Sequence, residues 1–493
     1  MASRDTMECQ GTDLTFSPAT PVEQKFQEDN SSNFSAKNIN EYVSAICQQI
    51  RWKKARLRVS EEMTAHITDG RDAYIRQGVD EAAATKKALL DTGDSAELGL
   101  GFDRIHRPRP QWGMLAAVVV FLAIGILATL AMHDNWGMPG RLMVTAVGVA
   151  VMLAAYFMDF TLLGKYPKTV FFGIIAFSLM LIISSSIHML WRGFVSVLWI
   201  FSTPLALRQA FSLLFPLAFV ACVYALRNKG IAGVALSSMA YVVLSGFALT
   251  IALTTGMFHF MVVGMVVFII TLLRDWFGIQ RVLRISIVSI SLAAFFGFSA
   301  FLAISPSAAG MRVSTALNPM LDPLGFGFQA MQIRNVLSDA VLFGQGAGST
   351  AFLPDARFNL VLTSVIHYYG WAMFAAIVGA LLGFIAFGFW RCFKQKSGLG
   401  FLVSFAIMAT FALQVFTYVI FNLGVTITQI SLPLISPGNS AMLVNMGLIG
   451  FMLSVFRTGD VVVERTHQQD AGPGIFSWED GKLTIDFSHF KSE

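Results

Sequence analysis

The chain has 493 residues, 55% of them hydrophobic and only 13% charged, with a formal net charge of +5. A soluble chain carries roughly 25% charged residues, so this composition excludes an ordinary soluble enzyme. The small surplus of positive charge gives no reason to expect a nucleic-acid partner.

Met1 to about Asn38 is polar and rich in Ser, Thr, Asn and Gln, which reads as a disordered tail. It contains no apolar stretch of the kind found in a cleaved signal peptide, so membrane insertion is expected to begin at the first internal span. From residue 39 to about 103 the pattern turns helical. The expected helices cover Glu41–Arg58, then Ser60 (an N-cap) to Gln77, and Asp80 to Asp91 before Thr92-Gly93-Asp94. They make a small soluble helical domain. Its basic run of Arg51, Lys53, Lys54, Arg56 and Arg58 suits an anionic leaflet and a solvated helix face equally well.

Long apolar runs then repeat from Trp112 to Phe456. A bilayer core of roughly 30 Å takes about 20 helical residues, and every backbone polar group must be satisfied inside lipid, so these runs read as about ten transmembrane helices. Expected spans are Trp112–Met132, Leu142–Phe160, Thr169–Ile187, Gln209–Leu226, Ile231–Leu253, Met257–Leu273, Ile285–Ile304, Tyr369–Trp390, Leu399–Phe421 and Ala441–Phe456. The fold class is therefore all-α and polytopic. Lys165, Lys168, Arg227, Lys229, Arg274, Arg281, Arg284, Arg391, Lys394 and Lys396 fall in loops that the positive-inside rule assigns to the cytoplasm. With these loops inside, both termini are cytoplasmic and the protein belongs in the cytoplasmic membrane. Cys9, Cys47, Cys222 and Cys392 show no paired spacing, so neither a disulfide framework nor a metal site is expected.

One outer segment, residues 305–367, is too polar to span and too long for a simple connector. Asp355, Asn359, Thr363 and His367 recur there every four residues, which on a helix makes one polar stripe. Such a stripe either faces a cavity or bonds to another helix. Arg312, Arg334 and Arg357 share the segment; guanidinium groups suit a diphosphate, although a solvated loop face would carry them too. Past Arg457, a tail at 457–493 alternates around Asp480-Gly481, from Phe476 to Phe487, which is a β-hairpin signal.

The segment from Arg312 through Asn318-Pro319, Asp322-Pro323-Leu324-Gly325, Gly327 and Gln329 resembles the pattern R-x-x-x-x-L-D-P-x-x-D-P-L-G-x-G-Y-Q. Gly344-Gln345-Gly346 resembles G-K-G, Phe352-Leu353-Pro354-Asp355 resembles F-L-P-E, Asn422-Leu423-Gly424 resembles N-I-G, and Pro433 to Ser440 resembles P-x-x-S-Y-G-G-S. These motifs belong to the SEDS family (FtsW/RodA/SpoVE) of bacterial elongation, division and sporulation. Separately, Glu61-Glu62, His66-Ile67, Gly78, Glu81-Ala82 and Gly93-Asp94 resemble a permease-prefix (HAAS-like) domain, which implies no chemistry.

The SEDS resemblance implies a peptidoglycan glycosyltransferase that polymerises lipid II beside a class B penicillin-binding protein. It implies substrate contacts at Arg312, Asp322, Gln329, Arg334, Arg357, Ser436 and Ser440. No cofactor is implied, and a divalent cation beside the diphosphate is compatible with the chemistry. The family's essential carboxylate falls at Asn359, and its E-E pair at His367-Tyr368. P-S-E reads at best as Pro204-Leu205-Ala206. An amide cannot take a proton at neutral pH, so Asn359 can position an acceptor sugar but cannot be its base. Asp355 and His367 are the substitutes within reach along the chain. Three readings stay open: a divergent polymerase, a non-catalytic scaffold for a transpeptidase and, least favoured, a flippase or transporter.

Overall fold

A computed structural model of the chain describes residues 36–107, 110–131, 138–190, 204–305, 308–347, 359–426, 431–436, 439–459, 476–479 and 482–485. The expected disordered tail at 1–38 falls almost wholly outside the described residues. The chain divides into two units, Met1–Arg109 and Pro110–Glu493.

The first unit holds helices α1 (Ala36–Gln49), α2 (Lys53–Arg76), α3 (Glu81–Thr92) and α4 (Ser95–His106). Ile39, Val43, Ile46, Ile50, Val59, Met63 and Ile67 form its core. The first break comes at Ile50–Trp52, earlier than Ser60. Ile50 is fully buried and the Asp103 carboxylate accepts the Arg51 N–H at 2.8 Å, so the chain must turn there. Ser60 instead lies inside α2, its hydroxyl donating to Leu57 O at 2.7 Å. The stop at Thr92-Gly93-Asp94 is also a start. Gly93 adopts φ +100°, and Asp94 then caps α4 by accepting from Ala96 N and Glu97 N.

Among the described residues the second unit is helical apart from one hairpin. Helices α5 (Trp112–Ala131), α6 (Met138–Phe157), α7 (Thr161–Lys165), α8 (Pro167–Leu190), α9 (Pro204–Ser212) and α10 (Phe215–Ala225) lead to one long segment, α11 (Gly230–Leu273). Then come α12 (Arg281–Ile304), α13 (Ala308–Leu317), a 3-10 turn (Pro319–Leu321), α14 (Phe328–Ser338), α15 (Val361–Tyr369), α16 (Trp371–Phe393), α17 (Gly398–Asn422) and α18 (Asn439–Thr458). Strands β1 (Phe476–Glu479) and β2 (Lys482–Ile485) pair antiparallel, with Glu479 opposite Lys482. Among the described residues, eight helical stretches are long and apolar enough to cross a membrane; Trp112–Leu127 and Pro167–Ile183 are shorter apolar ones. This is an all-α polytopic membrane protein.

The helical segment α11 covers 44 residues, yet it is not one straight helix but two spans, Gly230–Leu249 and Gly256–Leu273. The Tyr241 hydroxyl donates to Met261 O at 2.8 Å, and the Tyr241 and Phe260 rings lie 5.5 Å apart. Twenty residues of straight helix would separate such groups by about 30 Å. The chain therefore reverses within α11, and its ends meet again where Trp276 O accepts from Asn228 N at 2.8 Å.

Helix α17 is the centre of the bundle, with 78% of its span buried, whereas α12 buries 0%. Gln414 of α17 and Asn445 of α18 exchange two amide hydrogen bonds of 3.0 Å each in the core. The buried His259 ring lies 3.1 Å from the Thr417 hydroxyl. At one end of the bundle the basic loops meet. The Arg274 guanidinium lies 3.7 Å over the Phe401 ring, Arg227 lies 4.1 Å over Tyr224, and Arg284 pairs with Asp275 at 3.3 Å.

The opposite end is built from the segment between α12 and α16. Gly346 N donates to His367 O at 2.8 Å, and Trp371 N donates to Val341 O at 3.1 Å, stitching residues 341–346 along the α15–α16 junction. The hinge there is Gly370, at φ +85°, where a Cβ would stand 2.5 Å from Leu342 O. Gly370→Ala is expected to lower the thermal midpoint of the solubilised protein, by an amount equivalent to roughly 1–3 kcal/mol of backbone strain. A midpoint unchanged in a differential scanning measurement would rule out that constraint.

Candidate functional site

The family-like motif at 312–329 folds into a tight knot. The Asn318 side chain accepts from Met320 N at 3.3 Å and opens the 3-10 turn. The Asp322 carboxylate accepts from Gly325 N at 3.0 Å and Phe326 N at 2.9 Å. A Cβ on Gly327 would collide with Pro319 O at 2.1 Å. Asp322, a candidate substrate contact, thus spends its carboxylate on closing its own turn. Arg312 is half-buried with its guanidinium 5.4 Å from the Phe326 ring centre, and Arg334 donates to Ala316 O at 3.2 Å while its side chain lies across Gly424. Gln329 is half-buried on the first turn of α14.

Position 359 lies at the junction of α15 with the C-terminal end of α17, where Asn422 Nδ2 donates to Asn359 O. The polar stripe expected from 355 to 367 is interrupted, because α15 starts only at Val361 and Asn359 occupies the turn before it. The residue at the N-cap position is Leu360, which has no capping oxygen. Two side chains of α17 cap α15 from outside. Val361 N donates to the Tyr418 hydroxyl at 3.1 Å, and Thr363 N donates to the Asn422 side-chain oxygen at 3.0 Å. The Asn422 amide nitrogen then donates to Asn359 O at 3.1 Å and Tyr418 O at 3.0 Å, while the Thr363 hydroxyl donates to Asn422 O at 2.9 Å. Tyr418 also hydrogen-bonds Ser436. Beneath this node Ile333, Val336, Leu360 and Phe421 close a small apolar cluster, so α14 is packed against the turn that carries Asn359.

The Leu432–Ser436 loop bends sharply to deliver Ser436. Leu434 is buried at φ +67°, a backbone region that costs an L-residue roughly 1–2 kcal/mol. The Arg141 guanidinium holds that bend, its Nη2 donating to Leu434 O at 3.2 Å and Ile435 O at 2.9 Å. Arg141 is only 3% exposed, and its Nε and Nη1 find no partner among the described residues. Gly125 makes the passage possible, since a Cβ there would sit 2.3 Å from Arg141 Nη2. Sequence reading gave Arg141 no role. The available signal was a lone arginine opening an apolar span, which is expensive unless it faces the protein interior.

Among the candidates, then, Asn359, Ser436 and Arg334 gather around the tip of α17. Ser440 is buried at the start of α18. Asp355 and Arg357 lie outside the described residues. His367 is 2% exposed, and its Nδ1 finds no hydrogen-bond partner among the described residues. Burial pushes its pKa below the ordinary histidine value. The unfolded chain therefore binds the proton more readily, so His367 favours folding above the ordinary histidine pKa and opposes it as pH falls through that value. His367→Phe should flatten acid destabilisation in pH-dependent melting; an unchanged slope would mean that the imidazole titrates alike in the folded and unfolded states.

The model of the FtsW/RodA/SpoVE cell cycle proteins matches residues 110–460. The chain belongs to the FtsW/RodA/SpoVE family. It is 26% identical over 157 residues to a probable peptidoglycan glycosyltransferase FtsW of Xanthomonas oryzae pv. oryzae, covering 30% of this chain and 32% of that protein. It is 28% identical over 162 residues to stage V sporulation protein E of Bacillus subtilis, covering 30% of this chain and 41% of that one. These matches span between about a third and two-fifths of the relatives' lengths. A solved structure described as a peptidoglycan synthase complex coordinating polymerization and crosslinking superposes with a TM-score of 0.54 at 19% identity, over 71% of this chain and 98% of that one. That likeness concerns the fold. As a member of the FtsW/RodA/SpoVE family, the chain keeps Asn422-Leu423-Gly424 as a working structural part: Asn422 caps α15, and Gly424 gives room to Arg334.

Proposed function

We propose that this chain works in bacterial cell-wall synthesis, in the cytoplasmic membrane, with its outer loop binding a polyprenyl diphosphate-linked sugar such as lipid II. On the ten-span reading, which counts the eight long apolar helices together with the shorter Trp112–Leu127 and Pro167–Ile183, both termini and the basic loops lie in the cytoplasm and the knot at 312–338 on the outside. Arg312 and Arg334 are the cations for the diphosphate, and Asn359 and Ser436 lie where the acceptor sugar would be oriented. The observation that carries this reading is the node at the tip of α17, which holds the backbone of position 359 through Asn422 and anchors the turn from both sides.

The same position limits the activity. Polymerisation needs a group to take the proton of the attacking sugar hydroxyl, and Asn359 cannot accept it. His367 is buried and Tyr368 is not a base at neutral pH. The chain is thus a weakened or non-catalytic member that keeps the substrate-holding framework. A second reading, favoured by the same Asn359 and by His367-Tyr368 replacing an acidic pair, is a scaffold for a class B penicillin-binding protein. Purified protein incubated with lipid II, alone and with the candidate transpeptidase, separates the two. Retained lipid II binding with slow or absent glycan formation supports the first reading. No lipid II binding, with the transpeptidase bound and stimulated, supports the scaffold.

A further inference from the structure

Residues 339–346 form a loop with a polar base and an apolar tip. At the base, a Cβ on Gly346 would stand 2.7 Å from Asp339 O, so the two ends of the loop touch. Gly346 N donates to His367 O at 2.8 Å, and Asp339 and Gln345 are exposed. At the tip, Val341 is 41% exposed, Leu342 63% and Phe343 74%. A run of consecutive apolar side chains left outside the protein is costly in water and marks a surface that meets something else.

Backbone hydrogen bonds fix where this tip stands. Trp371 N donates to Val341 O at 3.1 Å, and Ala372 N donates to Leu342 O at 3.1 Å. Trp371 and Ala372 are the first two residues of α16, a 23-residue apolar span. A spanning helix begins where headgroups give way to hydrocarbon, a level that Trp and Tyr favour. Tyr369, just ahead of the span, is exposed as well. The contacts also run in order along the loop. Gly346 meets His367, Gly344 N donates to Tyr369 O at 3.4 Å, and Val341 and Leu342 meet the span itself. The apolar end is therefore the end bonded to the membrane helix. We propose that Val341, Leu342 and Phe343 are a membrane footing, dipped beside α16 into the boundary between phospholipid headgroups and acyl chains. On the ten-span reading this is the outer leaflet. Apolar side chains on the lipid side with polar neighbours on the water side are the arrangement of interfacial elements. A peptide or charged partner fits less well, because the tip carries no charge and its carbonyls at 341 and 342 are already engaged. The loop joins the end of α14 to His367 of α15, so the footing holds both helices at one depth. This rests on α16 spanning a membrane and not on lipid II binding.

The test uses the full chain in nanodiscs of phosphatidylcholine and phosphatidylglycerol. The photoreactive residue p-benzoylphenylalanine replaces Leu342, Phe343 or, as a control at the polar base of the same loop, Gln345. These side chains are exposed, so the substitutions leave the packing intact, and a monodisperse peak on size exclusion checks the fold. Irradiation should give phospholipid adducts by mass spectrometry at 342 and 343, with the yield at 345 falling to background. Discs of phosphatidylcholine alone should give the same yields at 342 and 343, because the footing is apolar rather than ionic. Loss of both adducts in those discs would overturn it in favour of headgroup recognition. Equal yields at all three positions, or no adduct at 342 and 343, would overturn the proposal outright. So would an adduct to a second copy of the chain in place of phospholipid, or a lipid adduct that appears only when lipid II is added.

Discussion

Asn359→Asp is expected to raise lipid II polymerisation by about 10²–10⁴-fold over the unaltered chain, the contribution of a positioned general base. The substitution is nearly isosteric, and the backbone contact that fixes the position, Asn422 Nδ2 to Asn359 O at 3.1 Å, does not involve the altered side chain. Folding and expression should therefore be unchanged. The site also suits an anion. Position 359 lies just ahead of the N-terminus of α15, where the partial positive charge of the helix favours a carboxylate over a carboxylic acid. A new Asp should thus be ionised at neutral pH and ready to accept a proton. The assay is glycan-strand formation on a gel from purified protein and lipid II. If both proteins are inactive although both bind lipid II, the losses at Ala206, His367 and Tyr368 have dismantled the reaction and the chain is a non-catalytic lipid II binder. Equal, full activity in the unaltered chain and in Asn359→Ala would put the base elsewhere, with Asp355 the next position to change.

Asn422→Ala is expected to be among the most damaging single changes at this end of the protein. Asn422 is 0% exposed, and its amide satisfies Thr363 N, Asn359 O and Tyr418 O together. Each buried polar group left without a partner costs roughly 1–3 kcal/mol. Tyr418→Phe removes the acceptor of Val361 N and the hydrogen bond to Ser436 but leaves the Asn422 amide's contacts in place, and should cost less. The two effects should not add, since the residues belong to one network. Thermal unfolding of the single variants and of the double variant measures this directly. Lipid II binding by Asn422→Ala should fall with stability, because the turn carrying Asn359 loses its anchor. Wild-type stability and binding in Asn422→Ala would show that the node is incidental.

The polytopic membrane class and the family were legible from residue type and spacing. Apolar runs of bilayer length admit one secondary structure, and the Gly, Pro and Asp positions of the segment at 312–329 make turns on their own. Asn318, Asp322, Gly325 and Gly327 show this, since each acts on a neighbour within a few residues along the chain. That Asn359 cannot act as a base was visible for the same reason: it is a property of one side chain. Contacts between distant segments were not legible. That Tyr418 and Asn422 cap α15, that Arg141 holds a loop some 293 residues away, and that α11 doubles back on itself depend on which faces the bundle presses together. Periodicity placed Asp355, Asn359, Thr363 and His367 on one helical stripe, but α15 begins at Val361, where the cap from α17 makes a start possible that Leu360 could not. A cap supplied by a helix nearly 60 residues further along leaves no local signal. Sequence therefore set the chemistry at each position, while tertiary packing decided which of those side chains share a site, because buried polar groups must find partners wherever the fold brings them.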